Sequence, residues 1–501
     1  MNVLSGENAV EHDIAVIDIG SNSVRLVHFR MEGRALWPVF NEKTSAGLGK
    51  GLGETGKLNP EGVEAALRAL RRFAILLDAK GVSERIVLAT AAVRDASDGP
   101  KFIKRARKEA GIVIAVLSGE TEACLAGMGV IAGAPDATGA AADLGGSSLE
   151  IVPVSRGKPG EGITLPVGPL AAPESLMSSR KDAKDWIDKI LKPATPVLKE
   201  CGDTLYAVGG SWRALAHLAI AEADYPLRVI HQFQLSRLAA KEIADLASRL
   251  SVVSLTGIPG ISARRAAMLP YAGLLLKRLM KRGRFNRVVF SAFGVREGAV
   301  FDRLPEGVRA VDPLLAGAEA VARPAAPSPG FGRAMAVWLE PVFAQRDTMF
   351  ANRSPLVRAA AARLCDVGAR HHPDHRAALA RELALYAPFA GVSHAERAYM
   401  GLVLHHRYDG KRPPADERIF QHLLDEESRQ WAMSYGLGLR FGSALSGRAD
   451  ALLKRFSLSS DNKHLILSAP EADVDLVVER ARYRFEQLAD SLGLEPVVKS
   501  V

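Results

Sequence analysis

The same short pattern occurs twice in this chain, and this repeat constrains the fold more than any other feature. Residues 15–27 read AVIDIGSNSVRLV, and residues 140–152 read AAADLGGSSLEIV. In both copies an apolar run is followed by aspartate, an apolar residue, glycine, three small residues and a second apolar run. One copy alone would be typical of an ordinary hairpin, because glycine, asparagine and serine are common in tight turns. Two copies with matched spacing predict a duplicated structural unit.

Similar secondary structure is predicted around the two copies. The elements expected around the first are strands at 14–19, 24–31 and 35–40, a helix from residue 59, a strand at 85–89, a helix through 101–108 and a strand at 112–117. Those expected around the second are strands at 140–144, 149–154 and 163–167, a helix at 173–200, and strands at 205–208 and 288–292. Two such α/β halves in tandem imply a cleft between them, with both turns facing it.

The residues of these turns favour an anionic ligand. Glycine lets consecutive backbone N–H groups point into one concavity, and serine hydroxyls add further donors. Asp18 and Asp143, at the head of each turn, would repel a phosphate unless a cation lay between them. Mg²⁺ takes carboxylate and phosphate oxygens as ligands in this way. The sequence therefore predicts a phosphate site with Mg²⁺ (or Mn²⁺) near Asp143.

Five blocks within the first 300 residues or so together resemble the exopolyphosphatase and guanosine pentaphosphate phosphatase family. They are DIGSNSVRL at 18–26, SGETEACLAGMGV at 118–130, DLGGSSLEIV at 143–152, AVGGSWRALA at 207–216 and SAFGVREG at 291–298. That family belongs to the superfamily of actin-like proteins, sugar kinases and Hsp70. The resemblance implies an α/β fold of two tandem actin-like (ribonuclease H-like) domains with a phosphate-binding cleft between them. Beyond about residue 310 it extends only to a helical region.

The resemblance implies catalytic roles for Glu122 and Arg94. The family's serine-glycine-x-glutamate-glutamate-alanine block is matched by residues 118–123, and its last glutamate falls on Glu122. Thr121 replaces the preceding glutamate and Glu120 is a second acid, so the choice between the two acids is open, although position favours Glu122. A threonine-x-x-x-arginine stretch of the family is matched by residues 90–94, which end at Arg94.

The remaining predicted site residues bind phosphate or metal. The family's metal or phosphate acids match Asp143 and Glu150. The predicted phosphate-binding residues are Gly20, Ser21, Asn22, Ser23, Gly145, Gly146, Ser147, Ser148, Gly209 and Gly210. In the family pattern a glycine stands at the position of Ser147 and a threonine at that of Leu149. The Gly209–Gly210 pair opens a helix and suits an anion or nucleotide, although a plain strand-to-helix turn explains it equally well. Arg296 is expected to form an internal ion pair.

The activity that the resemblance implies is metal-dependent release of the terminal phosphate of inorganic polyphosphate, with Glu122 activating water. Removal of the 5′ γ-phosphate from guanosine pentaphosphate at the same site is the alternative. An actin-like kinase and a non-catalytic nucleotide-binding regulator are more remote alternatives. An appended helical domain would give a long polymer more surface to lie on, which favours polyphosphate.

The whole chain is consistent with an intracellular protein that meets a polyanion. Its 65 Lys and Arg against 56 Asp and Glu give a net charge of +9, which attracts anions but does not by itself indicate nucleic-acid binding. The basic run at 101–108 is interpreted as the solvated face of a helix. Three widely separated cysteines indicate a reducing, cytoplasmic location. The N-terminus does not resemble a secretory signal, and no apolar run is long enough to predict a membrane span.

The expected domains are residues 1–130, 131–309 and 310–501, with a boundary in the Ala-, Pro- and Gly-rich segment at 310–329. Helical spacing at 355–370, 375–388, 394–407, 425–440, 447–455 and 474–492 predicts an all-α third domain, apart from a short strand-like piece at 464–467. A cluster of histidines with one aspartate makes a metal site one alternative for this domain. Its members are His371, His372, Asp374, His375, His405 and His406. Pro373 argues against it, and we favour an extension of the basic cleft or a dimer interface, hence a homodimer.

Overall fold

The protein is described by a computed structural model that covers residues 11–173, 179–344, 349–415 and 417–501. It divides into two compact units, with the division between Val311 and Asp312. The first unit is α/β and contains both copies of the repeated pattern. The second unit is mainly helical.

The first half of the α/β unit is built on a five-stranded sheet in the order β3-β2-β1-β4-β5. Its strands are β1 (Glu11–Ile19), β2 (Val24–Glu32), β3 (Ala35–Thr44), β4 (Glu84–Ala89) and β5 (Ala115–Val116). Its helices are α1 (Leu52–Thr55), α2 (Pro60–Ala79), α3 (Ala91–Asp95), α4 (Gly99–Ala110) and α5 (Gly119–Gly133).

The second half is built on a seven-stranded sheet in the order β11-β12-β10-β6-β7-β8, with β9 also paired to β7. Its strands are β6 (Gly139–Leu144), β7 (Leu149–Ser155), β8 (Lys158–Pro159), β9 (Ile163–Leu165), β10 (Thr204–Val208), β11 (Gln234–Ser236) and β12 (Arg287–Phe290). Its helices are α6 (Arg180–Ile190), α7 (Thr195–Glu200), α8 (Gly210–Glu222), α9 (Arg237–Ala247), α10 (Val252–Thr256), α11 (Ala263–Arg282), α12 (Val295–Asp302) and α13 (Glu306–Arg309).

The two sheets repeat one topology. In the first, β1 is antiparallel to β2 and parallel to β4; in the second, β6 is antiparallel to β7 and parallel to β10. Asp18 and Asp143 are each the penultimate residue of the strand that opens the pattern. The duplicated unit predicted from the sequence is therefore present, and the two turns occupy equivalent places in it.

Helices α5 and α12 lie between the two sheets. Leu125 and Val300 pack with residues of the first sheet, while Val130 and Phe301 pack with residues of the second. The helix backbones touch, because a Cβ atom on Gly298 would lie only 1.9 Å from the carbonyl oxygen of Leu125. This crossing holds the N-terminus of α5 at the cleft.

Several predicted elements differ in extent from the observed ones. The helix predicted at 173–200 is two helices, α6 and α7, separated by a 3-10 turn at Lys192–Ala194, because Pro193 cannot continue the hydrogen-bond ladder. The part of that prediction at 174–178 lies outside the described residues. Only two residues of the strand predicted at 112–117 pair with β4, whereas β3 is longer than predicted. The basic run at 101–108 lies on α4, which Gly111 ends in a left-handed conformation, as predicted.

The second unit is predominantly helical, with a small sheet near its end. Its helices are α14 (Pro313–Ala322), α15 (Phe331–Phe343), α16 (Ser354–Arg363), α17 (Arg376–Tyr386), α18 (His394–Asp409), α19 (Arg418–Leu423), α20 (Glu426–Leu445), α21 (Asp450–Leu453) and α22 (Glu479–Ser491). The strands β13 (Ser457–Ser460), β14 (His464–Ala469) and β15 (Glu495–Ser500) form a three-stranded sheet. Only β14 was predicted, because the sequences of the other two strands, SLSS and EPVVKS, lack a clear alternation of apolar and polar residues.

The histidine group of the second unit is split between two environments. His371, His372 and His375 are exposed, while His405 and His406 are buried on α18 and contact backbone carbonyls. Burial lowers the pKa of His406 to about 4. Within the described ranges no group of three or more His, Cys, Asp and Glu side chains is arranged to hold a metal. The metal alternative for these histidines therefore has no geometric support.

No helix in the described part of the chain is both long enough and apolar enough to cross a lipid bilayer.

Candidate functional site

A cavity of about 640 Å³ opens between the two sheets of the α/β unit, and both repeated turns line it. We call residues 20–23 the first turn and residues 145–148 the second turn. The predicted site residues that line the cavity are Gly20, Ser21, Asn22, Ser23, Glu122, Asp143, Gly145, Gly146, Ser148, Glu150, Gly209 and Gly210. The fold thus brings almost all of the predicted residues to one place.

The two turns share one hydrogen-bonding pattern. The N–H of Gly20 donates to the carbonyl oxygen of Ser23 over 3.1 Å, and the N–H of Gly145 donates to that of Ser148 over 3.0 Å. The small residues at 20–23 and 145–148 keep both turns narrow. Such turns leave backbone N–H groups available to an anion in the cavity.

Two loops donate hydrogen bonds to the carbonyl oxygens of these turns, and they do so in equivalent ways in the two halves. In the first half, Gly49 and Gly47 donate their N–H groups to the carbonyls of Ser21 and Asn22. In the second half the N–H groups of Leu170 and Gly168 do the same for Gly146 and Ser147, at 2.8 and 3.1 Å. Carbonyl oxygens repel phosphate, and these contacts direct them into the protein. The loops at 47–49 and 168–170 are therefore part of the repeated unit, although their sequences do not show it.

Glu122 lies in the first turn of α5, at one end of the cavity. Ser118 caps this helix by accepting a hydrogen bond from the N–H of Thr121. The Glu122 side chain is 8% exposed, and the Arg94 guanidinium donates to its Oε2 over 3.1 Å. Burial raises the pKa of Glu122 to about 7, and Arg94 opposes this increase. Glu120, in contrast, is exposed.

Three further carboxyl groups accompany Glu122. Burial raises the pKa of Asp143 to about 6, against the effect of the Arg213 and Arg296 guanidinium groups. Burial and the neighbouring Glu122 also raise the pKa of Glu150. Burial raises the pKa of Asp18 as well. We call Asp18, Glu122, Asp143 and Glu150 the acidic end of the cavity.

The acidic end suits a divalent cation that also binds phosphate. The Oε1 atom of Glu150 is buried and has no hydrogen-bond partner among the described residues. The carboxyl groups of Glu122 and Asp143 lie near Glu150, so a bound cation would give Oε1 a partner and would reduce the repulsion among the three carboxylates. The described part of the chain holds no set of three ligands already in place. Mg²⁺ commonly binds through only one or two carboxylates, with water and substrate phosphate completing its shell.

Six cationic side chains form a second feature of the cavity, which we call the basic wall. They are Arg25, Lys43, Arg213, Arg264, Arg265 and Arg296. Burial, with the nearby Arg265 and Arg264 guanidinium groups, lowers the pKa of Lys43 to about 8. Burial likewise lowers the pKa of Arg213 to about 10. Six cations against four carboxyl groups leave the lining with an excess of positive charge, which favours an anionic ligand.

Sequence reasoning missed most of the basic wall. Arg25, Arg213 and Arg296 lie inside three of the sequence blocks, so their positions were an available signal. Arg296 does form the predicted ion pair, with Asp18 at 3.4 Å, but it also lines the cavity. Lys43 and the pair Arg264–Arg265 carry no local signal, because they come from the end of β3 and the start of α11.

Two predicted residues lie beside the cavity and do not line it. Arg94 contacts Glu122 and Asp95, and it also donates to the carbonyl of Leu117. Ser147 points its hydroxyl at Ser21, and the two Oγ atoms are 2.7 Å apart. Both residues therefore touch the site through another predicted residue.

The glycine pair at the start of α8 faces the same cavity. Gly209 has φ +111°, and a Cβ atom there would lie 2.5 Å from the carbonyl oxygen of Leu144, so a larger residue would not fit. The N-terminus of α8 therefore opens at the cleft. Gly210 lies beside the Arg265 guanidinium, so both a turn role and an anion role are compatible with this pair.

Comparison with known proteins shows similarity to one family across both units. The family model of the Ppx/GppA phosphatase family matches residues 14–307, and a model described as exopolyphosphatase, C-terminal, matches residues 314–496. Exopolyphosphatase 1 of Mycobacterium tuberculosis is 26% identical over 303 residues, which cover 58% of this chain and 88% of that protein. Retrograde regulation protein 2 of Saccharomyces cerevisiae is 27% identical over 457 residues, which cover 81% of this chain and 74% of that protein.

Solved structures share the fold of the α/β unit. An exopolyphosphatase from Cytophaga hutchinsonii has a TM-score of 0.53 at 24% identity, and a Ppx/GppA family member from Aquifex aeolicus has a TM-score of 0.51 at 24% identity. Each alignment covers 58% of this chain and 97% of the other chain.

Proposed function

This chain belongs to the Ppx/GppA phosphatase family, and we propose that it hydrolyses the terminal phosphate of inorganic polyphosphate in a metal-dependent reaction. As a member of that family it is a phosphohydrolase. The observation that carries the choice of substrate is that one cavity is lined both by the carboxyl groups of the acidic end, which include Glu122, and by the six cations of the basic wall. A linear polyanion can place its last phosphate at the acidic end and its remaining phosphates along the basic wall.

Glu122 is proposed to act as the general base. A water molecule attacks the terminal phosphorus, its proton passes to a Glu122 carboxylate oxygen, and the bridging oxygen leaves with the shortened chain. A base works best when its pKa lies near the working pH, and burial brings the pKa of Glu122 to about 7. Arg94 orients this carboxylate by its hydrogen bond to Oε2.

The two turns are proposed to hold the reacting phosphate. Phosphoryl transfer depends mainly on positioning and on stabilising the charge of the transferred group. Backbone N–H groups and the hydroxyls of Ser21, Ser23 and Ser148 supply donors on both sides of the cavity. Asp143 and Glu150 would hold the divalent ion, which when bound supplies positive charge to phosphate oxygens. The N-terminus of α8 at Gly209–Gly210 is a further donor site.

Guanosine pentaphosphate is the second candidate substrate, and the lining of the cavity favours polyphosphate over it. Among the described residues that line the cavity there is no aromatic side chain on which a guanine base could stack. The apolar residues nearest to such a role are Pro169, Leu170 and Met268. A phosphate chain needs no such platform and uses every cation of the basic wall.

The test is phosphate release from medium-length polyphosphate, guanosine pentaphosphate and ATP, measured side by side at equal concentration with Mg²⁺. We expect the highest kcat/KM for polyphosphate. A higher kcat/KM for guanosine pentaphosphate would overturn the substrate assignment but keep the site. Tight ATP binding without phosphate release from any of the three would contradict the hydrolase assignment and favour a kinase or a regulator.

A further inference from the structure

The two phosphate-binding turns touch each other through a pair of serine hydroxyls. Ser21 Oγ and Ser147 Oγ are 2.7 Å apart, and either oxygen can be the donor. The two turns follow strands of different sheets, so this hydrogen bond joins the two halves of the α/β unit. Nothing in the proposed chemistry requires it.

The backbone of each serine is fixed to its own half. The carbonyl of Ser21 accepts a hydrogen bond from Gly49 over 2.7 Å, and the carbonyl of Ser147 accepts one from Gly168 over 3.1 Å. The turns are also in close approach, because a Cβ atom on Gly146 would lie 3.4 Å from the Cβ atom of Ser21. Each turn is therefore held by its own half, and the hydroxyl pair is a direct hydrogen bond from one turn to the other.

We propose that the Ser21–Ser147 hydrogen bond is a tether between the two phosphate-binding turns, and that Ser147 is a positioning residue which acts through Ser21. The inference rests on the proposed function, because it assigns the turns to phosphate. Ser147 itself does not contact the ligand in this arrangement.

The tether also couples to the ligand. Two hydroxyl groups carry two protons, and their mutual hydrogen bond uses one of them. When Ser147 donates to Ser21, the proton of Ser21 is free to point at a phosphate oxygen in the cavity, which Ser21 lines. Hydrogen bonds in such a chain strengthen one another, so bound phosphate and the tether stabilise each other. A glycine at position 147, which the family pattern would place there, has no such bond.

The expected effect is a change in binding with little change in the chemical step. If phosphate binds only to molecules in which the tether is formed, any loss of that population weakens the apparent affinity by the same factor. A neutral hydrogen bond typically changes such an equilibrium by about 2- to 12-fold. Ser147→Ala should therefore raise KM for polyphosphate by up to that factor and leave kcat nearly unchanged, the pattern of lost uniform binding.

The first experiment does not depend on activity. Hydrogen exchange is followed by mass spectrometry in the ligand-free full chain, in peptides that cover 18–26 and 143–152. We expect Ser147→Ala to speed exchange in both segments, including the first turn, which carries no substitution. Exchange that increases only around residue 147 would overturn the tether. In parallel, calorimetry measures the affinity for orthophosphate, which should fall by the same factor as KM rises.

Three matched variants separate a tether from a local defect. Ser155→Ala removes an exposed hydroxyl from the end of β7, the strand that follows the second turn, and should change neither exchange nor affinity. Ser147→Thr keeps a hydroxyl and should restore most of the affinity. In a Ser21→Ala background, Ser147→Ala should have no further effect on orthophosphate affinity, because the bond is already lost. Additive losses would overturn the inference. These binding results stand even if the wild-type chain hydrolyses a substrate other than polyphosphate.

Discussion

Replacing Arg94 with methionine should move the pH dependence of hydrolysis to higher pH. The proposed base must be ionised to accept a proton, so kcat/KM should rise with pH through the pKa of Glu122, which burial raises to about 7 in the metal-free protein. Arg94 lowers that pKa by stabilising the ionised carboxylate. Without the guanidinium, burial acts unopposed, and the rising limb of the profile must lie at a higher pH.

The size of the shift follows from the geometry of the pair. Two unit charges about 4 Å apart interact by about 4 kcal/mol at an effective dielectric constant of 20, which corresponds to roughly three pKa units as an upper bound. The Arg94 side chain is 23% exposed and shares its charge with Asp95, 3.0 Å away, and both facts reduce the effect. We expect the limb to move upward by about one to two units.

The assay is initial-rate phosphate release from polyphosphate between pH 5 and 9.5 at saturating Mg²⁺, with kcat/KM plotted against pH. The position of the limb is the readout, because the loss of Arg94 also lowers its height. Asp95→Asn is the control: it removes the competing acid, so the limb should stay in place or move slightly downward. An unshifted limb in Arg94→Met would refute the assignment of Glu122 as the base whose charge Arg94 controls.

Further predictions address the base, the metal, the acidic end and the basic wall. Glu122→Gln should reduce kcat by about 10²- to 10⁴-fold, while Glu120→Gln, an exposed neighbour, should stay within about twofold. Excess EDTA should abolish phosphate release, and added Mg²⁺ should restore it. The raised pKa of Asp143 makes the folded state lose stability as pH rises from about 4 to 6. Asp143→Asn should therefore raise Tm by about 2–4 °C at pH 8 in the presence of chelator. At pH 4 the two proteins should have the same Tm. Arg264→Gln with Arg265→Gln should raise KM for long polyphosphate and make it less dependent on salt than in the wild-type chain.

The local parts of the site were predictable from the sequence because they lie in continuous segments. Each turn is encoded by neighbouring small residues after a strand, and the Pro60 start of α2 and the Gly111 end of α4 are encoded by single residues. The duplication revealed that the two turns face one cleft. For the same reason the position of Glu122 in the first turn of a helix could be predicted from its block alone.

Features formed by distant segments were not predictable in this way. Lys43 and Arg264 come from different halves of the α/β unit, and Arg264 donates to Ser45 across the chain at 3.3 Å. A basic residue at the end of a strand has the same local pattern whether it faces solvent or a cavity. The prediction of one continuous helix across Pro193 was wrong because the apolar periodicity of the sequence continues through the 3-10 turn, although the helical hydrogen bonds do not.

The charge distribution of the cavity gives a physical reason for attack at a chain end. The charges that lower the pKa of Lys43 most are those of Arg265 and Arg264, whereas the charges that raise the pKa of Glu150 most are those of Glu122 and Asp143. Lys43 and Glu150 therefore have different immediate neighbours, while the Arg296–Asp18 ion pair joins the two sets of charges. A phosphate at the acidic end meets four carboxyl groups and is stable there only with a divalent ion and the N–H groups of the turns. On the proposed function, the cations at this end already pair with carboxyl groups, Arg94 with Glu122 and Arg296 with Asp18, so the last phosphate has reason to lie beside Glu122 while the rest of the chain meets the other cations.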